Sequence, residues 1–300
     1  MKLLIASDSP ISTEVLVASV SSRPWPSGTT VKVLSVVADA DVSADIWRQF
    51  GYGKNAVARE MERRGDQLTA LAVEPLGKIG IPAEVVVSRG DARHLVPFFA
   101  RKWSTDLILV RAHVRKDFTH WMLGSVARAV VTIAPCSVEI VRDTADDDSK
   151  KLENVRKILV ATDGSEISQV AARAVAERPW PEGSVFKVVS VEEPWTSKRS
   201  RAGSSEEAQV SVTSAEQILA SAGFQTTGEV LSGDVKKTVL EEAQKWAADL
   251  IVVGSHGRKG FKRMLLGSVS EAVAMNAHCS VLVGRGAQRS SRTASARTGT

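Results

Sequence analysis

The residues best suited to chemistry lie in a glycine-rich segment near the end of the chain. Gly254 and Gly257 can adopt positive φ and allow a ligand to approach bare backbone. Gly267-Ser268 begins a predicted helix, whose free N–H groups and dipole attract anions. Hydroxyl and cationic side chains complete the segment, namely Arg258, Lys259, Lys262, Arg263, Ser268 and Ser270. Together these residue types predict a site for a polyphosphate.

The spacing of the glycines matches neither of the common phosphate-binding fingerprints. The last glycine comes too late for a Walker A sequence or for a dinucleotide fingerprint. A tight structural crossover from a strand to a helix would also require glycines. On spacing alone, the two interpretations are equally good.

Histidine and cysteine side chains near this segment have simpler explanations than catalysis. His256 could act as a base or contact a phosphate, and the absence of an obvious Asp or Glu relay in the neighbouring sequence favours the phosphate contact. Cys136 and Cys279 each precede a short apolar run. Two cysteines are too few for a disulfide scaffold. We therefore expect two small buried thiols.

An internal duplication determines how these residues are positioned. Residues 2–36 match residues 157–191, and both copies carry the sequence Arg-Pro-Trp-Pro. Residues 90–142 match residues 233–285. Between the two matches the offset falls, so the first repeat holds about twelve extra residues between positions 37 and 89. A period of this length excludes a solenoid and indicates a duplicated domain.

Short β-branched runs alternate with amphipathic stretches in the second repeat. The predicted strands are 157–162, 186–191, 226–231, 249–253 and 280–283, and the predicted helices are 168–177, 204–222, 235–247 and 266–276. Such alternation predicts a parallel sheet covered by helices on both faces. Ligands bind these sheets at the carboxyl ends of the strands. The loops after the first, second and fourth strands are therefore the candidates for a site.

Three motifs in this repeat resemble the universal stress protein family. They are the spacing Gly-x2-Gly-x9-Gly-Ser, the opening I-L-V-A-T-D-G-S at Ile158–Ser165, and the ending C-S-V-L-V at Cys279–Val283. The motifs occur in the family's order, and the likeness covers both repeats. It implies an α/β fold with two tandem Rossmann-like domains (adenine nucleotide alpha hydrolase-like). Each domain should hold a mainly parallel five-stranded sheet flanked by helices.

The resemblance also implies an ATP site in the second repeat, with Mg²⁺ held through the phosphates. In that family the aspartate after the first strand contacts adenine and ribose, which maps to Asp163; its alternative role is to cap the next helix. A backbone group at the end of the second strand contacts adenine and maps to Val191. The loop and helix start that hold ribose and phosphates map to Gly254, Gly257, Gly267, Ser268, Val269 and Ser270. His256 and Arg258 are candidate phosphate contacts, and we expect no catalytic or metal-ligating side chain.

The first repeat departs from this pattern. Asp8, Gly124 and Ser125 keep the family's residue types, but Arg111 and Val114 replace the first two glycines. Both replacements bring a Cβ to where the ligand would approach. We expect a degenerate nucleotide site that has lost ATP binding or retains it weakly. The alternative to loss of binding is that the Arg111 side chain contacts a phosphate of the ligand.

The duplication and the composition together predict the domain organisation. A domain with a degenerate site spans residues 1–142, a polar linker 143–154, a domain with the intact ATP motif 155–286, and a disordered tail 287–300. The formal net charge is +5, and three of the arginines lie in the tail, so the body carries too little charge to predict a nucleic-acid partner. No apolar run reaches the roughly 18 residues of a membrane span, and the apolar stretch at Leu3–Ala6 is shorter than the apolar core that a secretory signal needs. We expect a cytoplasmic protein.

The function implied by the resemblance is that of an ATP-binding regulator or sensor in stress adaptation, with nucleotide bound mainly in the second domain. The family pairs its domains through their last strands. The two repeats should therefore form a pseudo-dimer within one chain, two chains could form a homodimer, and an unidentified protein would be the downstream partner. The alternatives are a slow ATPase or an ATP-dependent transfer enzyme that uses the same pocket, or a scaffold without nucleotide.

Overall fold

The strands of the first repeat alternate with its helices from the first residues onward. In this computed structural model, the described residues are 1–38, 54–112, 123–142, 155–193, 201–257 and 266–286. The predicted linker and tail, and also Val114 and Arg258, lie outside them. The elements of the first repeat are β1 (Lys2–Ser7), α1 (Pro10–Ser21), β2 (Thr30–Val37), α2 (Lys54–Leu68), a π-helical turn (Thr69–Val73), α3 (Glu74–Lys78), β3 (Ala83–Arg89), α4 (Ala92–Trp103), β4 (Leu107–Arg111), α5 (Ser125–Ile133) and β5 (Ser137–Val141).

The second repeat contains every strand and helix predicted for it, with ends displaced by a few residues. Its elements are β6 (Lys157–Ala161), α6 (Glu166–Ala176), β7 (Val185–Glu192), α7 (Arg201–Ser221), β8 (Gln225–Ser232), α8 (Val235–Lys245), β9 (Leu250–Gly254), α9 (Ser268–Asn276) and β10 (Ser280–Gly284). The extra residues of the first repeat lie between β2 and β3. There α2, the π-helical turn and α3 stand where the second repeat has α7.

The described strands form a ten-stranded sheet with the order β3-β2-β1-β4-β5-β10-β9-β6-β7-β8. Within each repeat the five strands pair in parallel. The two halves meet where β5 and β10 pair antiparallel, with Leu282 opposite Glu139. The prediction of an α/β fold with a mainly parallel sheet flanked by helices is confirmed.

Both faces of the sheet are buried, which explains the unbroken apolar runs in the strands. Leu3 and Ile5 face one apolar layer, whereas Leu4 between them faces the other. Each layer includes residues from both repeats. Strands that are covered on both faces need apolar side chains at consecutive positions.

The Arg-Pro-Trp-Pro motif ends the first helix of each repeat in the same way. The indole Nε1 of Trp25 donates to the carbonyl of Val20 at 2.7 Å, and that of Trp180 donates to Val175 at 2.9 Å. These bonds satisfy carbonyls at the helix ends, which have no partner within the helix. None of the described helices is long and apolar enough to cross a membrane.

Candidate functional site

The loops after β6 and β9 lie side by side because these two strands pair directly. In the first loop, Oδ1 of Asp163 accepts a hydrogen bond from the N–H of Ser165 at 3.0 Å. Gly164 between them has a φ of 74°, a conformation that glycine adopts without strain. The cap of α6 is Ser165, whose Oγ accepts from the N–H of Ser168. The alternative role proposed for Asp163 therefore belongs to Ser165, and Asp163 instead shapes the turn.

Gly257 brings the second loop against the carboxylate of Asp163. A Cβ at position 257 would lie 2.6 Å from Oδ2 of Asp163. The glycine itself is exposed, and its φ lies outside the left-handed region. The missing side chain therefore lets the Asp163 carboxylate approach the backbone of Gly257 closely, and no positive φ requires a glycine here. This is the position where a ligand would reach both the carboxylate and bare backbone.

The other two glycines of the motif are required by the fold itself. A Cβ on the buried Gly254 would lie 3.2 Å from the backbone N and Cα of Ser168. A Cβ on Gly267 would lie 3.3 Å from Cα of His256. Gly267 also donates its N–H to the carbonyl of Ser255 at 2.8 Å. The tight crossover from β9 to α9 is therefore sufficient to explain why these two positions hold glycine.

Helix α9 presents its N-terminus at the same edge of the sheet. Gly267 is its N-cap and offers no side-chain hydrogen bond to the first turn. Ser268 is exposed there, whereas Val269 is half-buried against an apolar layer. Ser270 is buried, and its hydroxyl donates to the carbonyl of Gly254 at 2.5 Å. The hydroxyl of Ser270 therefore holds α9 against β9, and that of Ser268 faces outward.

His256 is a poor base and a poor cation in this setting. Its Nδ1 lies 3.1 Å from Oγ of Ser255, the one hydrogen-bond partner it has among the described residues. Burial, with a smaller contribution from the charge of Arg285, lowers the pKa of His256 below its ordinary value of 6.5. At neutral pH the ring is therefore uncharged. No carboxylate relay accompanies it in the described part of the chain.

Val191 lies near the carboxyl end of β7, beside β6 and opposite Leu231 of β8. Its side chain is half-buried in an apolar layer. The backbone at this residue therefore lies at the edge of the sheet that carries Asp163. The structure thus brings Asp163, Val191, Gly257 and the start of α9 to one edge, where a carboxylate acceptor, bare backbone and helix N–H groups are presented together.

The first domain has a cavity of about 230 Å³ at the equivalent edge. Asp8, Arg111, Gly124 and Ser125 all line it, so the residues predicted for the degenerate site do meet. Asp8 and Ser125 are exposed, and Gly124 caps α5 without a side-chain hydrogen bond.

Arg64 is a further candidate residue of the first-domain site that the sequence motifs did not identify. A guanidinium nitrogen of Arg64 lies 3.3 Å from the carbonyl of Val36, to which it donates. Val36 is the counterpart of Val191 in the first repeat. Arg64 belongs to the segment with extra residues, which the motif comparison between the repeats does not cover.

The two thiols and the acidic groups offer no further reactive centre within the described residues. Cys136 and Cys279 are buried, and burial raises the pKa of each thiol to about 12. Such thiols stay protonated and unreactive. In the described ranges, no group of three or more His, Cys, Asp or Glu residues is placed to hold a metal ion.

Comparisons with known proteins bear on this arrangement. A sequence profile of the universal stress protein family matches residues 1–142 and 154–285. A universal stress protein of Mycobacterium tuberculosis strain H37Rv is 29% identical over 278 residues, which cover 83% of this chain and 85% of the relative. One from Methanocaldococcus jannaschii is 35% identical over 138 residues, or 43% of this chain and 81% of the relative. The crystal structure of a universal stress protein from Archaeoglobus fulgidus DSM 4304 has the same fold, with a TM-score of 0.68 at 19% identity over 95% of this chain and 98% of that one.

Proposed function

The chain belongs to the universal stress protein family, and from that premise we propose that it is an ATP-binding regulator or sensor in stress adaptation, with the nucleotide bound mainly in the second domain. The observation that carries the proposal is the close approach of the Asp163 carboxylate to the exposed backbone of Gly257, where a Cβ would lie 2.6 Å from Oδ2. This approach puts a carboxylate acceptor beside bare backbone, so that one ligand can contact both groups.

The described residues fit an adenine nucleotide by their chemistry. Asp163 offers a carboxylate oxygen to ribose hydroxyls or to the adenine amino group. The backbone of Val191 offers hydrogen bonds to the base. The N-terminus of α9 and the hydroxyl of Ser268 offer donors to phosphate oxygens. A Mg²⁺ ion would be held by the phosphates, since the described side chains supply no metal site.

The two domains act, in the same proposal, as a pseudo-dimer within one chain. Reciprocal arginine contacts across the β5–β10 pair support this. Arg142 donates to the carbonyls of Cys279 and Ala274 in the second domain, and Arg285 donates to those of Val131 and Thr132 in the first. Each arginine thus satisfies carbonyls at or just beyond the end of a helix in the other domain. Light scattering on the purified chain tests the further expectation of a homodimer.

The nucleotide content of the purified, untagged chain tests the ATP proposal. The protein is denatured, the released nucleotide is identified by mass spectrometry, and its amount is compared with the amount of chain. We expect about one ATP per chain, or, for an exchangeable ligand, saturable binding of added Mg-ATP by calorimetry with the same stoichiometry. Released ADP would favour the alternative of a slow ATPase, whose rate of hydrolysis a turnover assay would then measure.

Two matched substitutions show whether that nucleotide occupies the assigned site. Gly257→Val should abolish ATP binding and leave the melting temperature unchanged, since the backbone at 257 is unstrained. Gly77→Val is the control, because a Cβ there meets nothing within 4 Å. ATP binding that persists in folded Gly257→Val would refute the site. No binding by the wild type in either assay would favour the scaffold.

A further inference from the structure

The cavity of the first domain differs in chemistry from a nucleotide site. Its volume is about 230 Å³, and its walls include Leu34, Val36, Val96 and Val110. Cavities for drug-sized ligands usually hold about 300–1,000 Å³. This cavity therefore suits a smaller ligand with an apolar body.

The first-domain cavity is lined by an arginine at the position where the second domain has a glycine. Arg111 is the last residue of β4 and lines the cavity. Its counterpart in the second domain is Gly254, where a Cβ would already press on the backbone of Ser168. The first domain therefore accommodates a long charged side chain at a position that the second domain keeps empty.

The N-terminus of α5 adds positive potential to the same cavity. Ser125 and Val126, in the first turn of this nine-residue helix, line the cavity. The N-cap, Gly124, has no side chain that could satisfy the N–H groups of this turn. A helix N-terminus favours a negative group. Arg111 and α5 thus supply two attractions for one anionic group, which must outweigh the repulsion of the exposed Asp8 carboxylate in the same lining.

In the first domain, an arginine side chain donates a hydrogen bond to the backbone group that corresponds to the proposed adenine contact of the second domain. Arg64 lies 3.3 Å from the carbonyl of Val36 and donates to it. The same arginine is held by Glu60 at 2.9 Å, so its position is fixed from two sides. The carbonyl oxygen that corresponds to the adenine-contacting position therefore already accepts one hydrogen bond from within the protein.

We propose that the first-domain cavity binds a small organic anion, made of a compact apolar body and a single phosphate or carboxylate group, and that it does not bind ATP. The anionic group lies between Arg111 and the first turn of α5. The apolar body lies against Leu34, Val36 and Val96. This proposal does not depend on what the second domain binds.

The test uses the full chain carrying Gly257→Val, so that binding to the second domain does not contribute. Phenyl phosphate and benzoate are the anionic probes, and benzyl alcohol is the neutral probe with the same ring. We expect one of the anions or both to bind with one site per chain by calorimetry. Benzyl alcohol should bind at least about tenfold more weakly than the anions, because it cannot form charge-assisted hydrogen bonds.

Substitutions of arginine locate the anionic group. Arg111→Gln should weaken the anion about tenfold or more, and Arg111→Lys should retain part of the affinity. Arg101→Gln is the matched control, because it removes an exposed charge near the far end of α4. The proposal is overturned if neither anion binds at about 10 mM, a concentration at which even millimolar affinity would show. Binding that Arg111→Gln leaves unchanged would also overturn it, as would ATP binding in the Gly257→Val chain that Arg111→Gln weakens, since that ATP would occupy the first-domain cavity.

Discussion

Gly254 and Gly257 belong to one motif, yet their surroundings limit a side chain in different ways. At Gly254 the nearest atoms are the backbone N and Cα of Ser168, at 3.2 Å from an added Cβ. At Gly257 the nearest atom is Oδ2 of Asp163, the mobile end of a side chain. Backbone cannot move aside without disturbing α6, whereas a carboxylate can. The first glycine is therefore required for packing, whereas the second, in the proposed function, keeps the Asp163 carboxylate in place for the nucleotide.

Substitution by alanine at these two glycines should separate stability from binding. Gly254→Ala should lower the free energy of unfolding by about 1–3 kcal/mol, the usual cost of overpacking. Gly257→Ala should leave that free energy within about 0.5 kcal/mol and weaken ATP by displacing Asp163. Denaturant unfolding and calorimetry measure the two quantities. Equal loss of stability in both variants would contradict the distinction.

The histidines of the second domain make its stability depend on pH. Burial lowers the pKa of His256 and of His278 from their ordinary value of 6.5, with smaller contributions from Arg285 and Arg142 respectively. As the pH falls, the unfolded chain therefore takes up protons before the folded chain does. The contribution of these histidines to stability is present in full above pH 6.5 and is lost as the pH falls below it.

The melting temperature should therefore fall as the pH is lowered below 6.5, and less steeply once a histidine is removed. His278→Gln is the informative variant, because this residue lies outside the nucleotide site. Melting curves between about pH 8 and pH 5 for wild type and variant test the sign. A slope that His278→Gln does not reduce would show that other groups cause the acid effect.

At the scale of elements, Ser270 connects α9 to the end of β9. Its buried hydroxyl donates to the carbonyl of Gly254. The first repeat has Ala127 at the same place, so its helix α5 lacks this bond. This bond fixes the N-terminus of α9, which is the proposed phosphate-binding group, against the end of β9.

Removal of this hydroxyl should cost stability, and removal of its exposed neighbour should not. Ser270→Ala leaves a buried carbonyl without this donor and should lower the free energy of unfolding by about 1–3 kcal/mol. Ser268→Ala, two residues earlier and exposed, should change stability by less than about 0.5 kcal/mol while weakening Mg-ATP. Denaturant unfolding and calorimetry on both variants give the comparison. A stability loss confined to Ser268→Ala would contradict the assignment.

The elements themselves could be predicted because their signals are local. The strands of the second repeat are short β-branched runs, and Gly-Ser precedes α9 as a helix start. The cap of α6 could not be assigned to Ser165 in this way, because Asp163 has equally suitable chemistry two residues earlier. The π-helical turn at Thr69–Val73 has no local signal either. Beyond this turn, Leu76 is buried in the same apolar layer as Leu219 of α7.

At the scale of the whole molecule, the duplication is not symmetric where the two domains meet. Arg23 binds Glu139 through both terminal nitrogens, and both side chains are buried. In the second domain the counterparts are Arg178 and Leu282. Leu282 pairs directly opposite Glu139 across the β5–β10 junction. One carboxylate thus lies between two buried arginines, an arrangement that neither repeat shows by itself.

The two arginines differ in how well the carboxylate compensates them. Nη1 of Arg178 is buried without a hydrogen-bond partner in the described part of the chain. Burial lowers the pKa of Arg178 to about 10, against the weaker attraction of Glu139. Its charge is therefore less well stabilised in the folded chain than in water, although the guanidinium stays protonated at neutral pH. Arg23 also has one buried nitrogen, its Nε, without a partner among the described residues, but both of its terminal nitrogens bind Glu139, and its guanidinium lies over the ring of Trp180, 5.1 Å from the centroid.

Equivalent substitutions in the two copies of Arg-Pro-Trp-Pro should therefore have opposite effects. Arg23→Met breaks a buried ion pair and leaves Glu139 without its bidentate partner, which should lower the free energy of unfolding by about 3–5 kcal/mol. Arg178→Met removes a buried guanidinium nitrogen that lacks a partner, and should leave stability unchanged or raise it by about 1 kcal/mol. Denaturant unfolding of both variants measures the difference. Equal destabilisation would mean that Glu139 compensates both arginines. The expected asymmetry would mean that the junction is stable only between two different domains. Two copies of the second domain would bury two arginines equivalent to Arg178, with no carboxylate between them.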